Sequence, residues 1–370
     1  MDKKAVLAVA GSGKTYYLCN IIDETKRNII IAYTNENIKN IRNEIYKKFK
    51  YIPENTQIMT FHSFIYQFMI RPFDLLIGEY YGVYNFTSKG ISISNPPEKS
   101  FKKAGYWVKN PLYNNDKTLQ HYAYNNKYYC DYLSKLIIKT NNKNISLFKH
   151  GCENINRFFD CIYIDEMQDF REENWELLVK IIKNVKNIFL VGDFNQHSVN
   201  ATNNTGKPFK IRKNYISYIE YKEYLCDIGL KVDETSLLKS RRCSKEICYF
   251  ITQKLGIDIK SSEINSGRII SLNDEREIKK VLDDDAIIKL VWNSPEKYSF
   301  NSITWGYSKG DTYDDICVIL TDTYLNLGED SFVRGNSVSS INKLYVALTR
   351  SKGNVYLLKK NYIDMHYIRK

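Results

Sequence analysis

Short unbroken apolar runs recur along the chain, each closing on small or acidic residues, and apolar positions return at helical spacing between several of them. Ala5 to Val9 is the first run, and it ends in Ala10-Gly11-Ser12-Gly13, with a helix expected from Tyr16 to about Asp23. Asn28 to Tyr33 is a continuous β-branched stretch, the pattern of a strand covered on both faces. Ile38, Ile41 and Ile45 follow at the spacing of one helix face. Gln57 to Phe61 reads as the next strand, Phe158 to Phe170 as an apolar strand delivering acids at its end, and Asn187 to Gln196 as another. Farther on, Tyr215 to Gly229 predicts a helix closed by glycine, Ile316 to Leu320 a buried strand, and Leu344 to Arg350 the end of an amphipathic helix. Strand, helix and strand in this order predict a doubly wound α/β architecture.

Between about Tyr66 and His150 the texture changes. Aromatic and basic residues crowd together (Phe101, Tyr106, Trp107, Tyr113, Tyr122, Tyr128, Tyr129), and no clear period returns until Asp131 to Ile138. An insertion in the first α/β domain fits this spacing. It serves either as a groove for nucleic acid, where rings and cations interleave, or as a plain helical satellite core. The expected division is 1–65 with 151–228 as a first domain, 66–150 as the insertion and 229–370 as a second domain. A chain of 370 residues suits two ordinary domains.

Charge narrows the partners. The formal net charge of +12 favours a polyanion, although abundant Lys, Asn, Ile and Tyr also fit a base-composition bias in the source. Most of the 30 tyrosines are expected to be half-buried, with a few as stacking platforms. Eight cysteines without a CxxC pair or a zinc-like cluster point to reduced thiols and a cytoplasmic setting. Cys243 and Cys248 lie five apart but lack further metal ligands. No signal peptide is read before the glycine-rich loop, and no apolar run is long enough to span a bilayer, so no membrane partner is expected.

The chemistry starts at the loop. A strand turning sharply into a helix through small residues aims several backbone N–H groups at one spot, which suits a polyphosphate. Gly11 and Gly13 let the backbone approach, Lys14 reaches the outer phosphates and Thr15 offers a hydroxyl to Mg²⁺. A glycine-rich turn with a chance Lys-Thr pair is the plainer alternative. Asp165 and Glu166 close an apolar strand, the usual partner of such a loop: Asp165 for the Mg²⁺ shell, Glu166 to orient and deprotonate a water. An exposed acidic turn is the alternative there. His62, at a strand end, serves either as ligand or base or as a hydrogen-bonded structural residue.

With IAYTNENIKNIRNEI at Ile31 to Ile45 and TFHSF at Thr60 to Phe64, the chain resembles the UvrD/Rep/PcrA group of superfamily 1 helicases. DEMQD at Asp165 to Asp169, GDFNQ ending at Gln196, SKG at Ser308 to Gly310 and LYVALTR at Leu344 to Arg350 follow in the family's order. The resemblance implies two RecA-like P-loop domains with parallel sheets and a small, mainly helical insertion in the first. It implies an ATP-dependent DNA helicase that holds ATP, or another nucleoside triphosphate, with Mg²⁺ between those domains. Ala10, Gly11, Ser12, Gly13, Lys14 and Thr15 would cradle the phosphates, Gln196 would sense the γ-phosphate, and Arg242 and Arg350 would reach it across the cleft. Arg241 stands where the family stacks a tyrosine on adenine. Ser308, Lys309 and Gly310 would contact DNA phosphate on one side and nucleotide on the other, while Thr34, Asn35, Thr60, Phe61, His62 and Ser63 would line a track for single-stranded or tailed DNA, travelled 3′ to 5′.

Several positions depart from the family. Ala8 replaces the loop's first glycine, Glu36 a lysine, Thr312 the acid at the ribose, and Val199 and Ala201 a stacking pair. The interval from Arg242 to Thr304 is too short for the family's large mobile insertion. Intact phosphate-facing residues beside altered base-facing ones imply hydrolysis with relaxed base preference. Three readings follow: a compact translocase or helicase, a nucleic-acid-sensing NTPase that signals to a partner such as a nuclease with little unwinding, and a binding module with a degenerate ATPase. The residues do not separate a DNA track from an RNA one.

Overall fold

The computed structural model describes residues 3–197, 206–211, 214–327 and 332–369. The expected stacking positions Val199 and Ala201 lie outside the described residues. Strand β1 (Lys4–Leu7) leads through the glycine-rich loop into α1 (Lys14–Asn20). Next, β2 (Asn28–Ala32) is buried at all five positions, and α2 (Asn35–Phe49) turns the buried pair Ile41 and Ile45 inward from one stripe. Thr34 caps α2, its hydroxyl accepting from the Asn37 N–H at 3.2 Å. β3 (Thr56–Thr60) runs directly into α3 (Phe61–Ile65). After the insertion come α4 (Leu147–Phe158), β4 (Cys161–Ile164), α5 (Glu172–Asn184) and β5 (Ile188–Gly192). α5 opens on Glu172 and Glu173, where acids favour the helix dipole, and buries Trp175, Leu178 and Ile182.

The remaining elements are α6 (Tyr218–Asp227), β6 (Lys231–Asp233), α7 (Lys245–Leu255), β7 (Ile269–Ser271), α8 (Glu275–Asp283), β8 (Ile288–Val291), β9 (Ser302–Thr304), β10 (Ile316–Leu320), α9 (Val338–Leu348) and β11 (Val355–Lys359). α6 begins later than its apolar pattern suggests. Tyr215 pairs as a strand residue with Lys210, and a capping box at Ser217 and Glu220 fixes the start at Tyr218.

By compactness the chain divides into two units. The first comprises Met1–Lys3, Ile22–Asp165 and Phe170–Phe189; the second comprises Lys4–Ile21, Glu166–Asp169 and Leu190–Lys370. In the first unit β2 lies between β4 and β3, parallel to both, which is why its apolar run is continuous. Ala32 stands opposite Thr60, so the residues after β2 and after β3 emerge at the same edge. The insertion belongs to this unit and holds short helices (Asp74–Tyr80, Leu133–Lys139), a three-stranded sheet and a hairpin of Ser100–Lys103 with Tyr106–Lys109. Its buried Asp74 is satisfied by the Tyr128 hydroxyl at 2.9 Å and the Ser88 N–H at 2.7 Å.

In the second unit β1 pairs in parallel with β6 and meets the end of β5 through Ala8 N–H to Gly192 O at 2.9 Å. A five-stranded sheet of order β7-β11-β10-β8-β9 is parallel throughout. α7 and α9 cover one face, packing Ile247, Ile251, Leu344 and Leu348 on Leu290, Val318 and Val355. α8 covers the other, with Ile278, Val281 and Leu282 against Ile319 and Leu358. Together the two units give the α/β fold with parallel sheets and a P-loop that the pattern predicts. No helix among the described residues is long and apolar enough to cross a membrane.

One close approach in the second unit tolerates no side chain. A Cβ on Gly267 would lie 1.8 Å from the carbonyl oxygen of Gly353, a backbone atom that cannot swing away. Gly267→Ala is therefore expected to cost at least about 1–3 kcal/mol, the range for overpacking. Gly335→Ala, whose Cβ meets nothing within 4 Å, should stay within about 0.5 kcal/mol. Urea unfolding of both variants checks the contrast, and equal stabilities would contradict it.

Candidate active site

Most of the residues expected to handle phosphate fall within the second unit. The loop between β1 and α1 carries Gly11 at φ 70° and Gly13 at φ 87°, backbone conformations that favour glycine. Gly11 has a second constraint, since a Cβ there would stand 2.7 Å from both the Arg242 Cβ and the Ser240 hydroxyl. The segment around Ser240 lies directly on the loop, and the Arg241 N–H donates to Gly11 O at 2.9 Å. Ala10 donates its N–H to the Tyr345 hydroxyl at 2.9 Å. The loop is thus held from outside by α9 and by the residues before α7.

Lys14 is buried at the start of α1, with Thr15 half-buried beside it. Its Nζ lies 3.4 Å from Oε1 of Glu166. Ser12 is 3% exposed, and its Oγ has no hydrogen-bond partner among the described residues. An orphaned hydroxyl in a glycine-rich loop, next to a buried lysine, fits a phosphate oxygen. Glu166 sits at φ 53°, a left-handed conformation uncommon for its residue type. Burial pushes its carboxyl up, but Lys14, Lys309 and a hydrogen bond from the Gln168 amide outweigh this and hold it well below the usual range.

Gln168 also reaches the next acid, its Oε1 accepting the Asp193 N–H at 3.0 Å. Burial raises the Asp193 carboxyl to about 6, although Lys14 and the Tyr345 hydroxyl pull the other way. Asp193 Oδ2 accepts from the Gln196 amide at 3.0 Å and from the Tyr345 hydroxyl at 3.1 Å. Burial raises the Tyr345 hydroxyl's own pKa well above its normal value, so it stays protonated and donates to Asp193 while accepting from Ala10. A continuous chain of hydrogen bonds therefore runs from Glu166 through Gln168, Asp193 and Tyr345 to the phosphate loop. Sequence reasoning assigned no role to Gln168, Asp193, Ser240 or Tyr345. Three of these lie inside quoted strings, but the bonds that join one string to the next are distant in sequence; Asp193 alone had a local signal, as an acid ending an apolar strand.

Both arginines meet at Thr349. Arg242 Nη1 donates to Thr349 O at 2.8 Å, and Arg350 Nη2 to Thr349 Oγ1 at 3.2 Å. Arg350, 2% exposed, also donates through Nε to Val346 O at 2.9 Å. Burial and the charge of Arg242 lower its pKa, and burial lowers that of Arg242. Glu166 interacts electrostatically with both, as it does with Lys14 and Lys309. Exposed Arg241 lies over the exposed Tyr16 ring, its guanidinium carbon 5.6 Å from the centroid.

The SKG stretch is partly turned inward. Ser308 is buried with its hydroxyl on Trp305 O, and Lys309 forms an ion pair with Asp169. Gly310 is exposed at φ 99°. In the first unit Asp165 closes β4, 1% exposed, its N–H on Ile31 O at 2.9 Å. There too lie the track residues, with Thr34 and Asn35 exposed at the start of α2, and Thr60, His62 and Ser63 half-buried around α3. Phe61 is buried, and the Thr60 hydroxyl accepts the Ser63 N–H at 3.3 Å. His62 meets the Tyr33 ring edge-on at 5.3 Å, and burial lowers its pKa.

Residues 2–201 match a family described as an AAA domain, and residues 117–359 match the viral superfamily 1 RNA helicase core domain. No curated protein matches the chain. Among solved structures, the chain is similar to a PRRSV helicase at 12% identity and a TM-score of 0.48, covering 99% of this chain and 54% of that one. It is also similar to the arterivirus nonstructural protein 10 helicase solved in complex with DNA, at 11% identity and a TM-score of 0.46, covering 96% of this chain and 60% of that one. The chain thus spans a little over half the length of these helicases. With the greater part of its length inside the match, the chain belongs to the viral superfamily 1 RNA helicase core family.

Proposed function

We propose that this chain hydrolyses ATP, and other nucleoside triphosphates with it, and uses the reaction to travel along single-stranded nucleic acid as a compact translocase or helicase. By its resemblance to the UvrD/Rep/PcrA group the track is DNA and the direction 3′ to 5′. One observation supports the reading above the others: Glu166 lies within electrostatic reach of Lys14, Lys309, Arg242 and Arg350. Asp169 answers Lys309, and the two arginines, which hydrogen-bond to Thr349, Val346 and Asp311, are the cations a polyphosphate would meet.

The mechanism follows from the pairings. Lys14 is neutralised by Glu166; on turning to phosphate oxygens it would release that carboxylate, which then becomes basic enough to orient and deprotonate a water. Gln168 and Asp193 would keep Glu166 in line, and Tyr345 would transmit a shift of the loop into α9. Gln196, bonded to Asp193, would sense the outer phosphate. Arg242 and Arg350 would stabilise charge developing on the transferred phosphoryl group, as arginine fingers do. Mg²⁺ supplies charge neutralisation at the phosphate oxygens when bound, and Thr15 and Asp165 are the hard oxygen donors that would hold it. Arg241 over Tyr16 offers a flat platform without edge-reading groups, in keeping with weak base preference. A domain division at 1–65 with 151–228, 66–150 and 229–370 accompanies this reading.

A second reading is favoured by the interval from Arg242 to Thr304. It is filled by α7, β7, α8 and β8, elements of the core itself. Lacking an inserted domain there, the chain would act as an NTPase that senses nucleic acid and signals to a protein partner such as a nuclease. Strand displacement on tailed duplexes separates the two, since only the first reading gives ATP-dependent unwinding.

ATP turnover should rise when single-stranded DNA or RNA is added and fall at least about 100-fold in Lys14→Ala; turnover indifferent to both nucleic acids would remove both readings. Arg350→Ala should lower kcat by about 10³ or more while nucleotide affinity changes by no more than a few-fold. Steady-state kinetics with equilibrium nucleotide binding measures the split, and an affinity loss as large as the kcat loss would argue against the finger role.

A further inference from the structure

Helix α7 is entered through Cys243 and Ser244. Ser244 caps it, its hydroxyl accepting the Ile247 N–H at 3.3 Å. Cys243 therefore stands just before the cap and Cys248 at the fourth helical position. Those are the two places where apolar side chains ordinarily meet to fix the angle at which a chain enters a helix. Here both are thiols, and they touch. Cys248 Sγ lies 3.8 Å from Cys243 O, and the Cys248 thiol donates a hydrogen bond to the Cys243 sulfur. Among the described residues no cluster of metal ligands includes them, and nucleotide hydrolysis gives them no part.

The surroundings single out one of the two sulfurs. The hydrogen bond from Cys248 lowers the pKa of the Cys243 thiol against the cost of burial, and Arg242, Ser240 and Arg350 add to it, while Cys248 is pushed up. A sulfur held toward its thiolate beside cations, with a second thiol in contact, is the arrangement of a redox-active pair. Both side chains are buried, at 1% and 2% exposure, which shuts out bulky oxidants. Arg242 and Ser261, the latter donating its hydroxyl to Cys243 O at 2.7 Å, are half-buried. The pair thus lies one residue below the surface, within reach of an oxidant little larger than water. Cys243 is also tied to the phosphate loop. Its N–H donates to Ser240 Oγ at 3.0 Å, as the Arg242 N–H does at 3.3 Å, and Ser240 lies against Gly11.

We propose that Cys243 and Cys248 are a peroxide-sensitive modification site whose disulfide displaces the Ser240–Arg242 turn and slows nucleotide turnover. The Cys243 thiolate attacks one oxygen of hydrogen peroxide, the O–O bond breaks, and the departing hydroxide takes up the proton the thiol had released, as water. The Cys248 sulfur then displaces hydroxide from the Cys243 sulfenic acid, and its own proton leaves with that hydroxide as a second water. The two sulfurs give up two electrons and the peroxide takes them. Closure draws the sulfurs from hydrogen-bond contact to about 2.05 Å apart, a movement of roughly 1 Å or more. Misplacing a catalytic group by about 1 Å can cost about 100-fold in rate. The slowing rests on the reading that the chain hydrolyses nucleoside triphosphates; the disulfide itself does not.

Hydrogen peroxide added to the full chain in thiol-free buffer, followed by peptide mapping and by ATP turnover, tests the proposal. Thiols titrated after denaturation should fall from eight to six, and trypsin should release Cys243–Lys245 joined to Glu246–Lys254. Turnover should drop at least about tenfold and return when dithiothreitol is added. Cys248→Ala should keep basal turnover, yield no joined peptide and lose no more than about twofold at the same dose, with Cys243 halted at a sulfenic acid that dimedone labels. Cys248→Ser, closer in size, should behave alike and serves if the alanine variant unfolds. Turnover lost without the joined peptide, or lost equally in parent and variants, would overturn the switch, as would a joined peptide that leaves turnover intact. A reduced parent without ATP turnover would remove the function reading, and the peptide map alone would then decide the site.

Discussion

Lys14 and Glu166, a pair of opposite charges withdrawn from water beside the phosphate loop, set the conditions for everything around them. Burying either alone would cost several kcal/mol, and removing one partner of such a pair typically costs about 3–5 kcal/mol. The pair is tolerable because its neighbours complete it. Gln168 and Lys309 add a hydrogen bond and a further positive charge to Glu166, and Asp193 lies close enough for Lys14 to lower its pKa. The loop is pinned by Tyr345 from one side and the Ser240–Arg242 turn from another. Loosening any of these would leave a charge in an apolar setting without its counterpart.

The two arginines are held in place by the fold itself. Arg350 satisfies the Val346 carbonyl in the last turn of α9, the ordinary work of a cation at a helix C-terminus. That bond uses only Nε. Nη2 goes to the Thr349 hydroxyl, whose backbone carbonyl accepts from Arg242. Thr349 thus indexes both guanidinium groups, and neither could drift without disturbing the other. The bond through Nε also orients the rest of the Arg350 side chain.

Much of the fold was legible because it is local. The unbroken runs at Asn28–Ala32, Cys161–Ile164, Ile188–Gly192 and Ile316–Leu320 are strands with helices or loops on both faces, so the run length itself encodes burial. The glycines of the loop and the acids after β4 were legible for the same reason. What escaped is the wiring between them. Ala10 and Tyr345 are 335 positions apart, and nothing near either residue announces the contact. Gln168 to Asp193 spans 25 positions across a helix and a strand. The hairpin at Ser100 to Lys109 was visible only as composition, because its two alternating runs are short and no buried face makes the alternation stand out.

Glu166 carries a burden of its own at φ 53°. A left-handed backbone at a non-glycine residue stores about 1–3 kcal/mol. Glycine in that place would relax the backbone but leave buried Lys14 without its counter-charge, a loss larger than the strain relieved. A screen for heat-resistant variants of this chain would therefore gain at this position only where a second substitution also removes the charge of Lys14.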